Sequence, residues 1–243
     1  MQEKSVSEAI YFRRSVRIYD PTKLIETEKV KKCIDQAMLS PSSSNMQLWE
    51  FHHIISEDFK NKISKYCFNQ PAAKTAKQLV VVVVRRDLWR NRLSSNIRNI
   101  KSTFYKTEKI ESSKQEKKAL YYYQKLVPLI YSDFIGIKGF FKKIYVKIFG
   151  IFKPMYREVS SGDVRVITHK SAALAAQSFM ISMAAIGYDT CPMEGFDSKR
   201  IKKQLNLPSA SEISMIIGCG IRKNNGVYGE RFRVPSSETY HVH

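Results

Sequence analysis

The clearest helical pattern of apolar positions lies late in the chain, at residues 169–186. Alanine, leucine, isoleucine, phenylalanine and methionine fill most positions there and lie nearly all round the helix, without the continuous polar side of a surface helix. This pattern predicts a helix that is buried on all sides. Gly187 follows directly and predicts the helix end, because glycine readily adopts the positive φ found just after a helix.

Shorter patterns predict the other elements. Apolar runs at residues 49–55, 79–84 and 213–219 predict strands, and the unbroken run at 79–84 indicates a central, buried one. Helices are predicted at residues 5–14, after Thr27 as N-cap, at 119–130, and after Asp197 as cap of a short helix. This order of helices and strands predicts an α+β fold around a mixed sheet.

Composition favours one folded domain. The chain has 243 residues, of which 43% are hydrophobic, and this is enough for a core. Its cysteines are widely spaced, without the paired motif of a zinc or redox site, so we expect reduced, buried thiols and no metal. The first residues lack the apolar core of a signal peptide, so we expect a cytoplasmic protein. The cysteines are Cys33, Cys67, Cys191 and Cys219.

Positive charge is concentrated in the middle of the chain. The formal net charge is +19, and residues 85–158 contain 18 Lys and Arg against 6 Asp and Glu. Such an excess favours anionic partners. We interpret the basic, aromatic-rich residues 88–157 as an insertion or lid within one domain spanning residues 1–243.

Residues 134–153 leave an alternative open, because a basic and aromatic composition is also typical of a helix at a membrane surface. Gly136, Gly139 and Gly150 weaken it as a helix. We favour the lid over peripheral membrane contact, and we do not expect nucleic acid as the partner.

Two basic segments are candidates for phosphate binding. The sequence RRSVR contributes Arg13, Arg14, Ser15 and Arg17, and guanidinium groups bind phosphate oxygens with paired hydrogen bonds. The sequence GERFR at residues 229–233 places Arg231 and Arg233 on the same side of an extended chain. Taken alone, the first segment is more typical of a solvated basic surface, and the second is equally common on a solvated edge.

Two other segments offer hydrogen-bonding groups. Residues 40–51, SPSSSNMQLWEF, begin with a loop rich in hydroxyl groups. Residues 191–197, CPMEGFD, are predicted to form a bend that exposes backbone N–H groups, because Pro192 and Gly195 bracket it. Taken alone, each segment also fits an ordinary connection.

In this order, the four segments resemble the FMN-dependent nitroreductase family. The resemblance covers residues 5–86 and 165–235, and the segment 88–157 departs from it. It implies a three-layer α/β/α sandwich with a mixed, mainly antiparallel sheet, assembled as an intertwined homodimer with FMN at the subunit interface.

The resemblance also implies a role for each matching residue. Arg13, Arg14, Ser15, Arg17, Arg231 and Arg233 would hold the FMN phosphate and the pyrimidine side of the ring. The hydroxyl loop would come from the partner subunit. The bend would lie against the flavin, with the backbone of Glu194 or Gly195 near N5, and Asn69 would contact the ring. The loop and bend residues concerned are Pro41, Ser42, Ser43, Asn45, Pro192, Met193, Glu194 and Gly195.

The implied reaction is a ping-pong transfer of hydride from NAD(P)H through FMN to a small flat acceptor, such as a nitroaromatic or a quinone. The flavin carries the electrons, so no catalytic side chain is singled out, and His52 and His53 are interpreted as structural. Open alternatives are an FMN carrier or sensor and a relative with another flavin reaction, such as dehalogenation. The positive charge favours NADPH over NADH only weakly.

Overall fold

The computed structural model describes residues 3–105, 110–132 and 137–243. Its centre is a four-stranded sheet of order β1-β2-β4-β3, in which every neighbouring pair is antiparallel. A single parallel bridge joins Ser15 to Thr190 at the outer edge of β3. The strands are β1 Trp49–Ile54, β2 Gln78–Val84, β3 Asp189–Met193 and β4 Glu212–Gly220.

Strands β1, β2 and β4 confirm the three predicted strands, whereas β3 replaces part of the bend predicted at residues 191–197. The sequence did not predict this strand because Pro192, a residue unfavourable in strands, lies within it. Proline has no backbone N–H to donate, so it is tolerated at a sheet edge, where no neighbouring strand needs that donor. Cys191 and Met193 alternate with it and are buried in the core.

Two hydrophobic cores lie on opposite faces of the sheet. Strand β2 is buried along its whole length, and its successive residues point to alternate faces. Val80 and Val82 pack with Phe179 on one face, whereas Val81 and Val83 belong to the core on the other. The fold is therefore the expected three-layer α/β/α sandwich.

Helices α2 and α9 cover one face of the sheet, and α3, α4 and α10 cover the other. Helix α1 packs against α9. The bounds are α1 Val6–Phe12, α2 Thr27–Ala37, α3 Glu57–Tyr66, α4 Pro71–Lys74, α5 Trp89–Tyr105, α6 Ile110–Tyr121, a π-helical turn at Tyr122–Leu126, α7 Val127–Tyr131, α8 Ile137–Phe149, α9 Ser161–Ala185 and α10 Ser198–Gln204.

Helix α9 is longer than predicted. It begins at Ser161, after a capping box in which the Asp163 N–H donates to Ser160 Oγ at 3.2 Å. The expected burial on all sides is wrong for a single chain, because Leu174 is 52% exposed. The predicted end is confirmed, since Gly187 has φ 82° and the Tyr188 N–H donates to the Met183 carbonyl.

The two predicted caps had different outcomes. Asp197 caps α10 and accepts a hydrogen bond from the Arg200 N–H at 3.0 Å, as predicted. Thr27 is not the N-cap of α2, because the helix begins at Thr27 and Glu26 precedes it. The Thr27 hydroxyl instead accepts from Gln78 Nε2 at 3.0 Å, so it ties α2 to the first residue of β2.

The described residues of the basic segment between α5 and α8 are helical apart from a turn at Ser132. The prediction of a helix at 119–130 is confirmed, although a π-helical turn interrupts it. Helix α8 forms despite Gly139, while Phe134 and Gly136 lie outside the described residues. Within the described ranges, helices that combine the length and apolar character needed to cross a bilayer are absent.

Candidate functional site

The arginines predicted to bind phosphate come together in one cleft of about 240 Å³. One wall comes from the chain after α1 and the other from the segment that follows β4. The lining residues are Arg13, Arg14, Ser15, Arg17, Val227, Tyr228, Glu230, Arg231, Phe232 and Arg233. Six of the predicted site residues therefore meet, although more than 200 positions separate the two segments.

Backbone hydrogen bonds hold the first wall in place. The Val16 N–H donates to the Thr190 carbonyl at 3.1 Å, which hooks the arginine segment onto the edge of β3. The Arg17 N–H donates to the Gly226 carbonyl at 2.7 Å. A Cβ at position 226 would lie 2.3 Å from the Ile18 carbonyl oxygen, so only glycine allows this close approach.

Guanidinium groups connect the two walls. Arg231 Nη2 donates to the carbonyl oxygens of Tyr11, at 2.8 Å, and Arg13, at 2.6 Å. Arg14 Nη2 donates in the opposite direction to the Gly229 carbonyl at 2.9 Å. Among the described residues, Arg233 bonds to the carbonyl of its neighbour Phe232 and to no group of the opposite wall.

The cleft is strongly electropositive. Burial lowers the pKa of Arg13, and the positive charges of Arg231 and Arg233 lower it further. Glu230 supplies the carboxylate in the lining, which leaves an excess of positive charge. Such a site favours an anion, and a phosphate group would complement it best.

A salt bridge that the sequence did not reveal braces this region. Asp189, only 3% exposed, accepts from the Arg222 N–H at 2.7 Å and from Arg222 Nε at 2.9 Å. Arg222 Nη2 also donates to the Phe12 carbonyl at the end of α1, at 3.1 Å. The pair thus joins β3, the chain after β4 and the start of the arginine segment.

The predicted flavin-facing bend begins where β3 ends. Met193 points into the core and is 2% exposed, whereas Glu194 and Gly195 are exposed. Gln70 Nε2 donates to the Gly195 carbonyl at 2.6 Å, a contact that sequence reasoning missed. Its neighbour Asn69 is exposed and has φ 51°, a left-handed conformation in the turn before α4.

The hydroxyl loop has an unusual backbone. Ser44, Asn45 and Gln47 all have φ close to +50°, a conformation that costs energy in residues other than glycine. The Ser42 hydroxyl accepts from the Gln47 N–H at 3.0 Å and stabilises this turn. A Ser44 Oγ–Tyr122 Oη hydrogen bond of 2.6 Å attaches it to the basic segment.

Within one chain, the described structure does not bring the hydroxyl loop to the arginine cleft. The loop borders a second cleft of about 350 Å³, formed with α5. Asn45 bonds there to Asn96, with the two amides 3.2 Å apart. Pro41, Ser42 and Ser43 also lie away from the arginines, so one chain contains two separate parts of the predicted site.

Comparison with known proteins agrees with this fold. The profile of the Nitroreductase family matches residues 10–221, and the chain belongs to that family. Protein DrgA of Synechocystis is 24% identical over 228 residues, covering 94% of this chain and 89% of the relative. The oxygen-insensitive NAD(P)H nitroreductase of Salmonella typhimurium is 23% identical, covering 84% of this chain and 82% of the relative.

Solved structures share the fold along the whole chain. A provisionally named nitroreductase from Exiguobacterium sibiricum, solved in complex with FMN, superposes with a TM-score of 0.69 at 20% identity, covering 100% of this chain and 99% of its own. The ydfN protein from Bacillus subtilis gives 0.71 at 20% identity, covering 98% of each chain. At this identity the likeness establishes the fold.

Proposed function

We propose that the protein is an FMN-dependent oxidoreductase, which transfers hydride from NAD(P)H to a small flat acceptor and works as a homodimer with the cofactor between its subunits. The observation that carries this proposal is the convergence of Arg13, Arg17 and Arg231 on one cleft. The names of the relatives support it, since one is an NAD(P)H nitroreductase and a protein of the same fold binds FMN.

The residues present fit the phosphate end of FMN. Burial, and after it the neighbouring charges of Arg231 and Arg233, lower the pKa of Arg13, and a bound anion would stabilise its charged form. The cleft holds about 240 Å³, less than the roughly 300–1,000 Å³ of sites that enclose small ligands. A single chain therefore offers a cradle for part of a nucleotide, and the ring would extend toward Gly195 and Asn69.

The hydroxyl loop of a second copy would complete the site. Its strained backbone is already held by Ser42 and Tyr122 within one chain, as expected of a preorganised binding loop. An exposed stripe on α9 offers a surface for this assembly. The stripe consists of Val166, Lys170, Ala173, Leu174 and Gln177, which recur at helical spacing.

Bound FMN would accept and donate hydride, so this chain needs no nucleophile of its own. Arg17 would place positive charge beside the pyrimidine end of the ring, where negative charge develops on reduction. Gln70 would fix the position of the bend by holding the Gly195 carbonyl. The helices α5 to α8 would form the lid that limits access to the ring.

One acceptor slot would serve both half-reactions, which gives the ping-pong order. Nitroaromatics and quinones are flat enough for such a slot, and the positive charge favours NADPH weakly over NADH. All four cysteines are unpaired thiols. This is typical of a reducing compartment and supports a cytoplasmic location.

The first test is the visible spectrum of the purified protein, before and after anaerobic addition of NADPH or NADH. We expect flavin absorption that the nicotinamide bleaches and that a quinone or nitroaromatic restores. A coloured protein that resists bleaching would contradict the reductase and indicate a carrier. A colourless protein that also fails to take up added FMN would contradict the cofactor itself.

A further inference from the structure

Helix α8 leaves most of its apolar side chains substantially exposed to solvent. Among its described side chains, only Gly139 and Val146 are buried. Phe140 is 63% exposed and Phe152, just beyond the helix, is 81% exposed. The exposed apolar residues, which we call the α8 face, are Phe140, Phe141, Ile144, Tyr145, Ile148, Phe149, Ile151 and Phe152.

The helical spacing makes this face continuous. Phe140, Ile144 and Ile148 recur every four residues and form one row along the helix, and the row beginning at Phe141 lies beside it. Contiguous exposed apolar surface of this kind marks an interaction site in a soluble protein. The described residues cover this face only in part, since its members remain 43–81% exposed, and Phe141 and Tyr145 also border a groove shared with Leu129 and Tyr156.

Lysines flank the α8 face. Lys143 and Lys147 form the row next to Phe140 and Ile144, and both are exposed. Lys143 pairs only distantly with Asp163, at 3.7 Å. Lys142 lies on the other flank, where its amino group donates to the Leu129 carbonyl, and Lys153 follows the helix.

We propose that the α8 face docks on an anionic lipid bilayer, lying along the surface without crossing it. An apolar face bordered by lysines is the arrangement of an interfacial helix, in which the aromatic groups enter the headgroup region and the lysines meet lipid phosphates. The lysines beside the α8 face favour a bilayer over a second copy of this chain as the binding partner. A second copy would bring the same lysines and repel, whereas an anionic bilayer supplies the opposite charge.

The test is flotation of the purified full-length protein with vesicles of phosphatidylcholine alone or of phosphatidylcholine and phosphatidylglycerol in equal parts. We expect the protein to float with the anionic vesicles and to be released at about 1 M salt, where the screening length is only about 3 Å. Failure to float, or equal binding to both kinds of vesicle, would overturn the proposal.

Two variants locate the contact. Phe140→Gln with Ile148→Gln keeps good helix formers and should weaken vesicle binding at least about tenfold. Lys143→Gln with Lys147→Gln should weaken it by about ten- to thirtyfold at low salt. Leu24→Gln with Ile55→Gln, at exposed apolar positions elsewhere, is the matched control and should bind like the unmodified protein.

The same variants test the competing occupant. If a second copy covers the α8 face, Phe140→Gln with Ile148→Gln will shift the sedimentation coefficient while the unmodified protein ignores vesicles, and the proposal fails. Vesicle binding needs no flavin, so this outcome is independent of the proposed reaction.

Discussion

The guanidinium of Arg231 donates to the carbonyl oxygen of Arg13 at 2.6 Å, across 218 positions of the chain. The same nitrogen donates to the Tyr11 carbonyl. Arg231 therefore has two functions in our interpretation, since it closes the cleft mechanically and contributes charge to it. Arg233 lines the same cleft but, among the described residues, bonds only to its neighbour.

This difference predicts unequal effects of two similar substitutions. Arg231→Ala should raise the dissociation constant for FMN by about 10- to 100-fold, because a charged hydrogen-bonding group contributes about 1.5–3 kcal/mol. Arg233→Ala should raise it by about tenfold or less. Arg231→Lys should not restore binding, since one ammonium cannot reproduce the planar fork. Fluorescence titration of the apoprotein with FMN measures all three, and equal losses would contradict the bracing role.

Reversing the charge at Arg17 should weaken FMN retention and slow reduction. We expect Arg17→Glu to lower the affinity at least about tenfold, because it puts a carboxylate into a phosphate-binding cleft. Lys32→Glu makes the same change of charge on the exposed side of α2, outside the cleft. Stopped-flow reduction and flavin content are the measurements. Unchanged values for Arg17→Glu would remove this residue from the site.

A charge in the exposed stripe of α9 should separate the subunits. Leu174→Glu would bury a carboxylate in the proposed interface, so we expect dimer dissociation to become at least about 100-fold easier. Flavin content should fall with it, although the arginine cleft is untouched. Leu24→Glu, at another exposed leucine, should affect neither property. Sedimentation velocity measures the oligomeric state of each variant. A flavin-loaded monomer would contradict the shared site.

Buried thiols predict a loss of stability at alkaline pH. Burial raises the pKa of Cys33 and of Cys67 to about 12, from an ordinary value of 9.0. The unfolded chain loses these protons first, so their contribution is complete below about pH 9 and is lost as the pH rises toward 12. Urea unfolding from pH 7 upward should show this decline.

Cys67→Ala isolates one of these thiols. Above pH 9 the free energy of unfolding of the Cys67→Ala variant should fall less steeply with pH than that of the unmodified protein. The two slopes should differ by up to about 1.4 kcal/mol per pH unit. Parallel profiles for the two proteins would show that Cys67 ionises alike in the folded and unfolded states.

Local chemistry explains which features the sequence could predict. Gly187 and Asp197 act through their own backbone neighbourhoods, so their roles at helix ends were visible in the sequence. The seven buried residues of β2 are as apolar as a central strand must be. The basic segments of Arg13 and Arg231 are visible as candidate phosphate-binding groups, the family resemblance implies their shared role, and the structure places both in one cleft.

The missed features depend on distant partners. Strand β3 contains a proline and a buried aspartate, and Asp189 is acceptable only because Arg222 pairs with it. Thr27 does not form the predicted cap, because it is already the first residue of α2, and its hydroxyl accepts from the distant Gln78 instead. The contact of Gln70 with Gly195 joins residues 125 positions apart. The exposed side of α9 could not be predicted, because its alanines and Leu174 resemble the apolar residues that pack inside the same chain.

The parallel bridge between Ser15 and Thr190 has a consequence for the order of events during folding. The contacts that connect the two walls of the arginine cleft also join distant parts of the chain. Examples are the hydrogen bonds of Arg17 with Gly226 and of Arg14 with Gly229. Such contacts close large loops and are entropically costly to form early. In a refolding experiment, the helical circular dichroism signal should therefore return before the capacity to bind flavin. A cofactor that binds only the completed cleft would shift the equilibrium toward the fully folded state.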